Sequence, residues 1–184
     1  SSAPYERFTI SPALPAGLRL DSNTGVLSGT PTTTTGQVAT SYTITASGPS
    51  GSATTILSIA INVAPVITSQ PVTISYICGS PIRLGITASG LPAPTYKWIR
   101  QRGATIDTLT AGGIFSFNTR GDTLIITNAA PTDTGTYRCR ALNVAGSAVS
   151  NNARLMLALA TGNCTGSILD GRIGGIHRSQ RRRC

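Results

Sequence analysis

Apolar and polar residues alternate with a period of two along three stretches, 41–47 (SYTITAS), 54–63 (TTILSIAINV) and 122–128 (DTLIITN). β-Branched residues dominate these runs, and side chains that alternate between a wet and a dry face mark half-buried strands. Gly and Pro punctuate the chain between them, at 28–31 (SGTP), 47–52 (SGPSGS), 88–94 (ASGLPAP), 132–136 (TDTGT) and 143–147 (NVAGS). Such residues supply the backbone angles that tight turns require. No stretch holds an apolar period of 3.6 for long, so the pattern predicts an all-β fold of sandwich type. Residues 62–71 (NVAPVITSQP) read as a strand end followed by a short connector bracketed by prolines. The boundary falls there, giving a first unit over 1–64, a second over 66–159 and a tail over 160–184.

The second unit carries the more specific pattern. Trp98 follows the turn at 88–94, and Asp133, Gly135, Tyr137 and Cys139 are spaced D-x-G-x-Y-x-C behind the strand at 122–128. This combination resembles an immunoglobulin domain of the intermediate type. The resemblance implies that Trp98 is the core tryptophan of a central strand and that Tyr137 forms a tyrosine corner. Leu124, Ile126, Tyr137, Cys139, Leu155 and Leu157 are then expected to face the core. At the place of the family's other core cysteine stands Ile86. Cys139 is therefore expected as a buried free thiol, packing as a small hydrophobe.

The first unit holds Leu14 to Leu18 (LPAGL), Thr24–Gly25 and Ser28 to Pro31 (SGTP) in that order. These pieces resemble the immunoglobulin, cadherin-like repeats of bacterial surface proteins. The resemblance implies further strands ahead of this segment, so the unit reads as a sandwich lacking its first strands. Two consecutive Ig-like β-sandwiches with an irregular basic C-terminal tail are expected. An incomplete sandwich offers an unpaired strand edge for β-strand addition. A neighbouring copy that filled it head-to-tail would build an open filament, making the chain the subunit of a homo-oligomeric extracellular fibre. The tail residues Ile168, Leu169, Ile173 and Ile176 suffice for one donor strand and are too few for a core. The alternative is an adhesion, spacer or carbohydrate-binding module of a larger secreted or surface protein.

Charged residues make up only 11% of the 184-residue chain, about half the usual share. Hydroxyl-bearing side chains take their place. The net charge is +9, with Arg172, Arg178, Arg181, Arg182 and Arg183 set against Asp170 at the end of the chain. No aromatic residue stands among the final arginines to stack on bases, so no nucleic-acid partner is expected. No run of about 18 apolar residues is present, and no membrane span is expected. The chain starts without Met or a secretory leader and reads as a processed product or a fragment.

Four cysteines allow three fully paired connectivities. In the fold implied by the resemblance the first strand runs parallel to the last, which brings Cys78 to the end where the tail departs. Cys164 is then the candidate partner of Cys78, leaving Cys184 free or paired with another molecule. A Cys164–Cys184 loop is the alternative. Either bond implies an oxidising compartment, extracellular or at the cell surface.

His177 is the sole histidine and Glu6 the sole glutamate, which argues against triad, multi-histidine metal and paired-carboxylate chemistry. No catalytic residue, cofactor or metal site is expected. Asp21 and Asn23 alternate within DSNTG as calcium ligands do, but an Asx turn explains them with fewer assumptions. Arg120, Gly121 and Asp122 spell an RGD tripeptide at a turn. Phe115 and Phe117 are the one pair of aromatics that hints at a sugar platform, the basis for expecting a surface polysaccharide among the partners. Asn163 begins a glycosylation sequon at Asn163-Cys164-Thr165.

Overall fold

The computed structural model describes residues 7–158, whose regular secondary structure is β-strand apart from one 3-10 turn. The first unit comprises β1 (Arg7–Ser11), β2 (Leu18–Leu20), β3 (Leu27–Gly29), β4 (Gln37–Gly48) and β5 (Gly51–Ile61). β1, β4 and β5 form an antiparallel sheet in that order, and β2 and β3 pair as a separate hairpin. Period-two alternation sorts the sheet into two faces. Phe8 opposes Ala46, Ile10 opposes Ile44 and Tyr42 opposes Leu57 on one face. Ser47 opposes Ser52 and Thr45 opposes Thr54 on the other, which is hydroxyl-rich. The hairpin lies over the apolar face at Phe8, since a Cβ on Gly25 would sit 2.9 Å from the Phe8 ring. Gly17 is needed as well: its φ is +90° and a Cβ there would clash with the Thr30 carbonyl oxygen. Tyr42 and Ile61 are the buried hydrophobic residues among the described part of this unit.

The second unit runs through β6 (Val63–Ser69), β7 (Ile74–Tyr76), β8 (Ile82–Gly85), β9 (Thr87–Leu91), β10 (Thr95–Arg102) and β11 (Thr105–Thr108). It continues with β12 (Phe115–Phe117), β13 (Thr123–Ile126), β14 (Gly135–Asn143), β15 (Gly146–Val149) and β16 (Ala153–Leu157). One sheet has the order β11-β10-β14-β16-β7 with β15 also on β14, and the facing sheet has the order β12-β13-β8. β7 pairs with β16 in parallel, whereas the other pairings are antiparallel. Trp98, Tyr137, Leu84, Leu124, Ile126, Leu155 and Cys139 are the largest side chains sealed between the sheets. Ile86 joins the same core.

Three expectations need correction. Residues 63–69 are not a connector but the strand β6, antiparallel to β9, and Pro65 is accommodated where the register shifts between Val63 and Val66. A bulge leaves one backbone group out of the ladder, which suits a residue without an N–H. Leu157 has the inward parity of Leu155 but is 37% exposed, because it is the last residue of β16, at the open end of the sandwich. Phe115 and Phe117 pack partly buried against the core, so they do not form an exposed platform. A single 3-10 turn, Pro131–Asp133, interrupts the strands.

Candidate functional site

Two constructions in the described residues stand apart from ordinary sandwich packing: a polar cluster under the β14 turn and the junction between the units.

The cluster is built around Asp133, which is 3% exposed. Its Oδ2 accepts the Ala130 N–H at 2.9 Å, closing the 3-10 turn, and its Oδ1 accepts Arg100 Nη1 at 3.2 Å. The Tyr137 hydroxyl donates to the Asp133 carbonyl at 2.8 Å, the tyrosine-corner geometry. Arg100 occupies the inward parity of β10, two residues from Trp98, and is held by three partners. Besides Asp133 it donates to Asp107 at 3.4 Å, and its guanidinium carbon lies 5.2 Å from the centre of the Phe115 ring. Burial removes water from the Tyr137 hydroxyl and pushes it up to about 12 from 10.0. The same cause raises the Cys139 thiol to about 12 from 9.0, so it stays protonated at neutral pH. A protonated thiol with no exposed surface is inert as a nucleophile. No cluster of three or more His, Cys, Asp or Glu is assembled among the described residues.

At the junction, β5 ends at Ile61 and β6 begins at Val63, so Asn62 alone separates them. Asn143 clamps the second side of this link. Its Nδ2 donates to the Val63 carbonyl at 2.8 Å and to the Pro92 carbonyl at 2.9 Å. Its Oδ1 accepts the N–H groups of Ala145 and Gly146. The first unit reaches over the link through Gly36, where a Cβ would come 2.9 Å from both the Ile61 oxygen and the Leu91 side chain. Gly146 approaches Ala64 with similar closeness, at 3.2 Å for the same test.

The residues singled out in the sequence fall as follows. Trp98 is buried, its Nε1 donating to the Gly121 carbonyl at 3.1 Å, and it pairs across the strands with Cys139. Cys139 is a free, buried cysteine, and Ile86 lies in the same core. Cys78 sits in the turn after β7, partly buried. The Ala158 N–H donates to the Tyr76 carbonyl, two residues before Cys78. Cys164, Cys184, Asn163, His177 and the donor residues Ile168, Leu169, Ile173 and Ile176 lie outside the described residues. Asp21 Oδ1 accepts the N–H groups of Asn23 and Thr24 at 2.8 and 2.9 Å, an Asx turn, and these bonds hold its carboxyl below the usual range. In the RGD turn the Asp122 carboxylate faces Asn118, Thr123 and Arg120. It is turned into its own loop and away from an outside ligand. Asn143 and Gly36 carried no functional reading in the sequence. The turn signal at 143–147 located the loop, but the bond from Asn143 to a residue 80 positions away has no local signature.

Residues 64–143 match the family described as "Immunoglobulin domain", and residues 1–64 match the family described as "Putative Ig domain". Among curated proteins, Homo sapiens hemicentin-1 is 30% identical over 105 residues, which span 57% of this chain and 2% of that protein. Rattus norvegicus immunoglobulin superfamily member 10 is 31% identical over 93 residues, 50% of this chain and 4% of its own length. The Homo sapiens neural cell adhesion molecule L1-like protein is 34% identical over 110 residues, 60% of this chain and 9% of its own length. The chain thus spans a small fraction of each of these relatives. Among solved structures, extracellular domains 3-5 of Drosophila OTK superpose with a TM-score of 0.53 at 25% identity, covering 79% of this chain and 47% of that one. An I-band fragment of titin gives a TM-score of 0.59 at 22% identity, covering 82% and 55%, a likeness of fold alone. The sandwich core, the tyrosine corner and these matches together make the chain a tandem of immunoglobulin-like domains.

Proposed function

We propose that the tandem is a non-enzymatic extracellular module that serves adhesion or spacing within a larger protein. The junction is the observation that supports it most. A one-residue link packed against Gly36, with its outgoing strand pinned to the second domain by Asn143, leaves little length for rotation between the domains, and a spacer has to hold its shape. The adhesion named in the L1-like relative and the extracellular setting named for the OTK domains agree with this reading. Small-angle scattering on the intact chain tests it. A monomer whose distance distribution broadens in Asn143→Ala is the expected result. An unchanged distribution in that variant would remove the junction from the argument.

A second reading, a fibre subunit joined by strand complementation, draws on the eleven-residue strand β5, which lies at the edge of its sheet among the described residues. The tail segment with Ile168, Leu169, Ile173 and Ile176 is the donor in that reading, and a Cys78–Cys164 bond would pin the tail. Negative-stain microscopy with and without reductant separates the two. Uniform fibres would favour the second reading, and discrete particles would retire it.

A further inference from the structure

The outward face of the β10–β14–β16 sheet carries cations that nothing in the domain neutralises. Because Trp98, Tyr137, Cys139 and Leu155 point inward, their neighbours Lys97, Arg138, Arg140 and Arg154 point outward. The registers place them on one diagonal. Lys97 lies directly opposite Arg140, Arg138 follows two residues along β14, and Arg154 opposes Thr136 one step further. Strand spacing of ~4.8 Å and an advance of ~3.4 Å per residue give the diagonal a length of roughly 17 Å.

No acidic residue occupies an outward position on this face among the described residues. The four ion pairs of the second unit involve Arg100, Arg102 and Arg120, and none involves the diagonal. Arg140 donates to Ser147 Oγ at 3.0 Å, and the buried Nε of Arg138, like that of the ion-paired Arg100, has no hydrogen-bond partner. Like charges set directly opposite each other destabilise a sheet, so the Lys97–Arg140 pair costs the isolated domain stability. The diagonal runs into a shallow groove of about 280 Å³ beside Arg154, also lined by Arg102, Gly135 and Thr136.

We infer that this face binds a linear sulfated polysaccharide. The ligand must bring several anionic groups spaced along an extended chain, because the cations form a row. Three of the four are arginines, whose planar fork suits oxyanions of the sulfate and carboxylate kind. The side chains between and beside them, Gln101, Thr108, Thr136 and Ser147, offer hydrogen bonds to a hydroxyl-rich polymer. Strand aromatics of this sheet, Tyr76, Tyr96, Trp98 and Tyr137, all point to the core side, so the face has no ring on which a nucleic-acid base would stack. The exposed apolar residues Ile106, Val149 and Met156 stand at the rim of the row. The inference names a ligand class for the adhesion reading, and it stands or falls by itself, since a spacer need not bind anything.

The test uses the intact chain and heparin as the probe, with affinity measured across a salt series. Counterion release makes affinity fall with salt in proportion to the contacts made. The triple variant Arg138→Gln, Arg140→Gln, Arg154→Gln should bind at least tenfold more weakly and show a shallower salt slope, with a thermal midpoint no lower than that of the unchanged chain. The variant with Arg178, Arg181, Arg182 and Arg183 all changed to Gln should keep most of the affinity. If the tail variant loses binding and the sheet variant does not, the face is not the site. Equal binding of fully desulfated heparin, of polyglutamate or of duplex DNA would overturn the polysaccharide assignment. Loss of binding with the junction intact by scattering would leave the spacer reading standing.

Discussion

Ile86 and Cys139 are both sealed in the core that surrounds Trp98, at 5% and 0% exposure. If they face each other across the sandwich, Ile86→Cys will create a disulfide with Cys139. The bond would close a loop of about 54 residues, which in the chain-entropy treatment stabilises by about 4 kcal/mol. Replacing Ile by the smaller Cys removes roughly two buried carbons and leaves part of a cavity, a loss of about 2 kcal/mol. The oxidised variant should then gain about 2 kcal/mol, a rise in thermal midpoint on the order of 10 °C for a domain of this size. The reduced variant should fall below the wild type by a similar amount. Calorimetry with and without reductant reads both shifts, and peptide mapping after alkylation in denaturant identifies the cross-link. A variant that keeps both thiols free under oxidising conditions would show that the two positions are further apart than the ~7 Å between Cα atoms that a disulfide tolerates. The resemblance between Ile86 and the family's second cysteine would then be a coincidence of spacing.

Asp133→Asn keeps the shape of the side chain but removes the charge opposite Arg100, whose own side chain is 12% exposed. Breaking one side of a buried pair costs about 3 kcal/mol, to be read as a lower urea midpoint; a shift below about 0.5 kcal/mol would mean that Asp107 alone satisfies Arg100. Stability should also fall in alkali. Tyr137 and Cys139 hold their protons to about 12 in the folded state, whereas the unfolded chain releases them near 10.0 and 9.0. The contribution of each is complete below its unfolded value and is lost as pH rises toward 12, with a slope approaching ~1.4 kcal/mol per pH unit per group. Urea midpoints at pH 8, 10 and 11 check this, and Cys139→Ala should remove the portion that starts near 9.0.

The immunoglobulin-like core was legible because its signals are local or rigidly spaced. Trp98, the turn before it and the 133–139 motif fix which strands must oppose which, and the described packing places Trp98 against Cys139. β6 was not legible, because Pro65 and Pro71 read as breaks when they are judged by their missing N–H. Only the register shift at Val63 and Val66 shows that the ladder asks no bond of Pro65. Arg100 is similar: a charge on the inward parity of a strand contradicts the pattern until Asp133, 33 residues away, is brought beside it. The Asn143 clamp and the diagonal of cations are products of register. Lys97 and Arg140 are 43 positions apart in sequence and become neighbours only when β10 and β14 are aligned.

Alternation along β10 therefore sorts its positive charges into two kinds. Arg100 points inward and is matched by Asp107 and Asp133, so its cost of burial is offset within the fold. Lys97, one step out of phase, points to the opposite side and meets another cation in Arg140. Packing explains the first arrangement, since without the two carboxylates the buried guanidinium would be left uncompensated. Nothing in the packing explains the second. A chain with only six acidic residues could have left the outer face neutral, as it did on the hydroxyl-rich face of β4 and β5. Local departures from the rules that favour stability concentrate where a surface has a further use. On that ground the unmatched diagonal, and not the ion-paired cluster at Asp133, is the place where this domain meets another molecule.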